Sequence, residues 1–147
     1  MQTEGKVVAI AVRTKPLGPM REIPRAMAAL GGGIQGDLEV KPHRGITLIS
    51  REQWDDTKRV LGADLAWHTR RANVLVEGLN LSELVGLTIR LGSVELHIHG
   101  ETKPCGLMDS LYDGLRAALA PDMRAGVHGQ VIYAGAFAVG DPITIVD

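Results

Sequence analysis

Short apolar runs, each closed by glycine or proline, are the feature that most restricts what this chain can become. They are far too short to cross a bilayer, and most are too short for a buried helix, so they read as strands. Val7 to Val12 is the first, followed by a loop with Pro16, Gly18, Pro19 and Pro24. Ile46 to Ile49, Ala72 to Val76, Leu87 to Leu91 and Val94 to Ile98 follow, then Val127 to Tyr133, Ala136 to Val139 and Ile143 to Val146. Gly92-Ser93 suits a tight turn between two of them. In the segment 94–99, Val94, Leu96 and Ile98 share one face, and Glu95, His97 and His99 share the other.

Two stretches carry the helical period instead. Ser50 caps the first, with Gln53 placed to complete a capping box, and Gly62 stops it near residue 61. The second is expected from about Leu107 to Leu119, with Leu111, Leu115, Ala118 and Leu119 on its inner face and Pro121 at its end. The helices do not alternate one-for-one with the strands, so a doubly wound sheet is disfavoured. The expected fold class is mainly β (α+β), a barrel-like antiparallel or mixed sheet with two or three short helices. The 147 residues suffice for a single domain over 1–147 with a hydrophobic core of its own.

Composition excludes several functions. Sixteen basic and seventeen acidic side chains nearly cancel, and no basic block stands out, so a phosphate-tracking nucleic-acid surface is not expected. Two Trp, two Tyr and one Phe are too few for a base-stacking platform. No apolar run is long enough to span a membrane, and the N-terminus does not read as a secretory signal. A lone cysteine cannot form an internal disulfide, which suits the cytoplasm.

That cysteine is the chemical focus. Cys105 sits in Lys103-Pro104-Cys105-Gly106, after the His97 strand and before the second helix. A nearby ammonium and a helix N-terminus both favour the thiolate, the nucleophilic form. An inert buried cysteine is the plain alternative. His97, His99, Glu101 and Cys105 are the one cluster of metal-ligand type, although two alternating histidines on a strand are more often surface or barrel-lining residues. Arg70, Arg71 and Asn73 open a strand, where guanidinium forks suit phosphate or carboxylate, or simply face solvent. His43 and Arg44 form a second basic spot. The Gly31-Gly32-Gly33 triplet leading to Gly36-Asp37 is a ligand loop or a tight turn.

The order of several motifs around Cys105 resembles one known family. Arg71-Ala72-Asn73 before Val74-Leu75-Val76-Glu77-Gly78, the Gly86 to Gly92 hairpin, and the strand leading to Pro104-Cys105 are similar to its central signature. Gly126-Val127 through Gly135 to Gly140-Asp141-Pro142-Ile143 resembles its closing hairpin. Gly33-Ile34-Gln35-Gly36-Asp37 and then His43 look like its early loop. The family is the MOSC domain, named for the C-terminal domain of molybdenum-cofactor sulfurase, and the likeness covers roughly residues 4 to 147. It departs from the pattern at Glu101-Thr102-Lys103, where many relatives have an arginine near the cysteine.

The resemblance implies a β-barrel-like fold. It implies Cys105 as a persulfide sulfur carrier or as a molybdenum ligand, and the molybdenum cofactor (molybdopterin) as the bound group. It assigns His43, Arg71, Asn73, Lys103 and Asp37 to holding that cofactor, and expects Arg71, Asn73, His43 and Lys103 to converge on Cys105. The partners it implies are a pyridoxal-phosphate-dependent cysteine desulfurase or other sulfur donor, and a molybdenum-cofactor enzyme as acceptor. Two other readings stand beside it: a metal-dependent hydrolase built on His97, His99 and Glu101, and a non-catalytic ligand-binding barrel.

Overall fold

A computed structural model describes residues 3–38 and 40–146. Its strands are β1 (Glu4–Arg13), β2 (Met20–Glu22), β3 (Arg25–Ala28), β4 (Ile46–Ser50), β5 (Val74–Glu77), β6 (Thr88–Leu91), β7 (Val94–Glu101), β8 (Val127–Tyr133), β9 (Gly135–Ala138) and β10 (Pro142–Ile145). The helices are α1 (Arg51–Leu61), α2 (Gly106–Leu111) and α3 (Leu115–Leu119). Strands run β10-β6-β7-β8-β4-β5-β1, and β1 pairs back onto β10, which closes a seven-stranded barrel. β2 extends the sheet beyond β1, and β3 pairs with β9 as a separate ribbon. β4 and β5 are the parallel pair, and α1 is the crossover that such a pair requires. Among the described residues no helix is long and apolar enough to cross a membrane.

Which strands look continuously apolar and which alternate follows from what covers them. Ile10, Val12, Leu48, Val74 and Val76 point into the barrel, where they join Leu96, Ile98, Val131 and Phe137. Ala11, Ile49 and Leu75 point outward but are covered by Trp54, Trp67, Met108, Leu115 and Leu119 in a second core between barrel and helices. Strands buried on both faces need apolar residues on both faces. β7 lacks such a cover, and its burial alternates with a period of two, Val94, Leu96 and Ile98 inward.

Local signals account for α1. The Ser50 hydroxyl accepts the Gln53 backbone N–H at 3.3 Å, and Gly62 closes the helix in a left-handed conformation. The capping box is not completed: the Gln53 side chain instead donates to the Asp122 carbonyl at 2.6 Å, tying the helix start to the chain before β8. Ser50→Ala is expected to cost about 1 kcal/mol, as N-cap losses do, measurable as a lower urea midpoint with unchanged slope.

Two expectations need correction. The single helix over 107–119 is two helices. Tyr112 takes an extended conformation and Gly114 a left-handed one, and Asp109 accepts the Arg116 N–H at 3.0 Å to cap the second piece. Cys105 therefore precedes a six-residue helix, and the favourable helix end expected beside it is weak. The proline-bearing loop also holds β2 and β3, which pair with the end of β1 and with β9.

Candidate functional site

At one end of the barrel, the end of β1, the turn after residue 40, the start of β4 and the chain on either side of Cys105 enclose a cleft of about 530 Å³. Arg13, Lys41, Arg44, Arg70, Arg71 and Lys103 line it together with His43, Thr47, Thr102 and Cys105. Among the described residues no carboxylate lines it, although acidic residues slightly outnumber basic ones in the whole chain. Val40, Leu107 and Met108 supply its apolar surface. Cys105 is exposed, so the inert-core alternative fails on accessibility.

Arg70 is the least ordinary member of this wall. It is buried, yet no carboxylate among the described residues pairs with it. Its Nε–H donates to the Ala125 carbonyl at 2.9 Å, and a terminal nitrogen reaches the Thr102 carbonyl at 3.5 Å. Burial pulls its pKa down to about 10, Arg44 and Arg13 push the same way, and Cys105 opposes them. A buried guanidinium held by carbonyls and the Met108 sulfur, with no counter-ion among the described residues, is suited to receive an anion.

Arg71 adopts a left-handed backbone at φ 68°, uncommon for a residue with a side chain. Its guanidinium donates to the Gly18 carbonyl and lies 3.4 Å from the Lys15 carbonyl, pinning the first loop to the cleft. Partial burial and then Arg13 lower its pKa, while Asp37 raises it.

Asn73 and Asp37 lie beneath the wall. Asn73 is buried, and its Oδ1 accepts from the Thr47 N–H at 3.0 Å and the Thr47 hydroxyl at 3.2 Å. Its amide donates to the Ala11 carbonyl at 3.3 Å and to Asp37 at 3.1 Å. All four hydrogen-bonding positions of the side chain are thereby used. Asp37, whose carboxylate is fully buried, also takes both the backbone N–H and the guanidinium of Arg13, the latter at 2.8 Å. Both residues set the cleft's floor by fixing Arg13 and Thr47, and neither appears in its lining. Asn73→Ala strands Thr47 donors in the interior and is expected to cost about 2 kcal/mol, read as lower stability in denaturant with the cysteine still present and reactive.

Of the residues expected to converge, His43, Arg71, Lys103 and Cys105 share the cleft. Arg13, Lys41, Thr47, Thr102 and Met108 line it without having been singled out in the sequence. The glycine triplet has a packing reason. A Cβ on Gly45 would sit 2.2 Å from the Gly32 carbonyl, and one on Gly33 would sit 2.6 Å from that of Gly45. The close approach lets the 31–37 loop lie against the turn that carries His43.

His97, His99 and Glu101 do not form a metal centre with each other. His97 meets the Thr88 hydroxyl at 3.1 Å, His99 meets Gln130 at 3.2 Å, and Glu101 lines a separate groove with Asp109 and Arg116. Among the described residues no three His, Cys, Asp or Glu side chains are arranged to hold a metal ion. The hydrolase reading therefore lacks the convergence of ligands it requires.

Comparison with known proteins agrees with the architecture. The fold is similar to the YuaD protein from Bacillus subtilis, with a TM-score of 0.85 at 21% identity over 99% of this chain and 97% of that one. It is also similar to YiiM from Escherichia coli, with a TM-score of 0.77 at 17% identity, covering 97% of this chain and 70% of that one. YiiM from Geobacillus stearothermophilus gives a TM-score of 0.80 at 15% identity, covering 97% and 75%. No curated protein matches significantly. The sequence model of the MOSC domain matches residues 35–144, which take in β4 to β9, most of β10, Cys105 and all of the cleft lining but Arg13, and the chain belongs to the MOSC domain family.

Proposed function

We propose that this protein handles sulfur or the molybdenum cofactor at Cys105, with the cationic cleft holding the anionic part of its ligand. The observation that carries the reading is an exposed thiol in a cleft lined by six cationic side chains and, among the described residues, no carboxylate. Cationic clefts concentrate anions, and guanidinium forks suit phosphate oxygens. The donor set fits the molybdenum cofactor: a thiol able to ligate a soft metal, arginines and lysines for its phosphate, and Val40 and Leu107 for the edge of a flat ring. When bound, that group supplies two-electron chemistry at the metal.

The chain's own residues divide the remaining work. Arg70, Arg71 and Lys103 bind and orient the anionic group, with His43 on the Pro42–Arg44 turn of the same cleft, Asn73 and Asp37 hold Arg13 and Thr47 in place, and Cys105 supplies the sulfur. In the carrier role the Cys105 thiolate attacks the outer sulfur of a donor persulfide. The donor's S–S bond breaks, its thiolate leaves with the electron pair, and a new S–S bond forms on Cys105. A pyridoxal-phosphate-dependent cysteine desulfurase is a donor of the right chemistry, and a molybdenum-cofactor enzyme is the matching acceptor.

Intact-mass spectrometry under non-reducing conditions tests this. Protein incubated with a cysteine desulfurase and cysteine should gain the mass of one sulfur atom, removed by dithiothreitol, and protein from molybdenum-replete cells should release a fluorescent pterin on denaturation. A chain that gains no sulfur and carries no pterin in either preparation refutes the proposal.

A further inference from the structure

Four of the five histidines gather beside the cleft, more than the handling of one anionic group explains. His43 stands on the turn Pro42–Arg44, which packs against β8. Its ring lies edge-on to His99 of β7 at 6.3 Å and to His128 of β8 at 6.1 Å, between centroids, and His99 lies 5.2 Å from His97. The fixed partners of this group are neutral: Thr88 for His97, Gln130 for His99 and Thr102 for His128. Lys41 and Arg44 flank His43 on its own turn, and Arg70 and Lys103 line the same cleft. Glu101, further along β7, lines the separate groove with Arg116. Among the described residues no carboxylate forms an ion pair with His43, His97, His99, His128, Lys41 or Arg44. The register explains the meeting, since His128 lies between Thr47 of β4 and Gly100 of β7.

We propose that His43, His99 and His128, with Lys41 and Arg44, form a second anion subsite at the outer part of the cleft, for a phosphate- or sulfate-like group that binds with uptake of protons. The ligand of the cleft accordingly carries two anionic groups, one against Arg70 and one on this turn. The inference rests on the anion-binding reading of the cleft, and not on the chemistry of Cys105. Burial lowers the pKa of His128, and Arg44, His43 and His99 lower it further. An anion on the turn reverses that repulsion. By linkage, each pKa it raises by one unit corresponds to tenfold tighter binding to the protonated form. Affinity therefore rises as pH falls through the histidine range.

Sulfate is the probe, because it stays fully ionised from pH 5 to 8 and any linked protons belong to the protein. Histidine ring-proton NMR titrations of the full chain, in sulfate and in chloride of matched ionic strength, report each imidazole once single His→Gln variants assign the signals. His68, which lies beside Trp67 and Glu22, is the internal reference. The expected result is an upward shift of roughly one unit for at least two of His43, His99 and His128 in sulfate, with His68 unmoved. His43→Gln, at an exposed position, should shrink the shifts of the other two and flatten the pH dependence of sulfate affinity about tenfold. Equal shifts at His68, shifts reproduced by chloride, or no response to sulfate overturn the subsite. If Cys105 gains sulfur while the histidines stay silent, the subsite fails and the proposed function stands. If the histidines respond and Cys105 never gains sulfur, the reverse holds.

Discussion

Cys105→Ser should abolish the sulfur adduct, with no residual labelling above background, while the fold stays intact. The chain has one cysteine, so no second thiol can accept the sulfur. Serine keeps the shape but lacks a sulfur atom to form the S–S bond, and its hydroxyl is a weak nucleophile without a base. The side chain is exposed and its own hydroxyl or thiol caps nothing in α2, so stability should change by no more than about 0.5 kcal/mol. Intact mass after desulfurase treatment and a urea melt on the same sample check both halves. An adduct that persists in the serine variant places the sulfur elsewhere. Full protection of wild-type Cys105 from iodoacetamide until unfolding contradicts the accessible thiol on which the proposal depends.

Arg70→Met should leave the protein as stable or more stable, yet weaken anion binding at least tenfold. Burial lowers the guanidinium pKa from its ordinary value to about 10, so the charge is less welcome in the folded state than in the unfolded one. A base with a depressed folded pKa opposes folding wherever both states are charged, which includes neutral pH. The opposition is relieved only as pH rises through about 10 towards the ordinary guanidinium range. Its size at neutral pH is on the order of 3 kcal/mol. Against it stand the hydrogen bonds to the Ala125 and Thr102 carbonyls, worth about 1–2 kcal/mol each. Methionine removes the buried charge, keeps much of the volume and packs against Met108. The same change deletes the one cation buried in the cleft wall among the described residues, and a charge-assisted hydrogen bond to an anion is worth about 1.5–3 kcal/mol. Denaturant midpoints with and without sulfate test both parts together. A loss of more than about 2 kcal/mol without sulfate would make Arg70 a structural tie. Undiminished sulfate stabilisation would show that the anion sits elsewhere.

Much of this architecture was legible because it depends on local pattern. The apolar runs at residues 7–12 and 46–49 and the alternation at 94–98 mark β1, β4 and β7, and Ser50 with Gly62 bound α1 to the residue. The helix expected over 107–119 was misread because its apolar spacing continues through Tyr112-Asp113-Gly114, while the chain there turns to let Asp109 cap α3. β2 and β3 were missed because strands of three and four residues carry too little pattern. Their pairing to β1 and β9 is what makes them strands.

The site divides the same way. Its thiol, its basic residues at 43, 71 and 103, and the family to which the chain belongs could be read from residue type and order alone. Closure of the barrel decided the rest. It buried Arg70 without a carboxylate partner among the described residues and turned Asn73 and Asp37 inward as supports. It also brought His99 and His128, both far from His43 in sequence, within about 6 Å of the His43 ring. Residue type and spacing act over a few positions and so survive in a linear reading. Burial, counter-ions and the meeting of distant side chains are properties of strand register, which exists only once β1 has paired with β10.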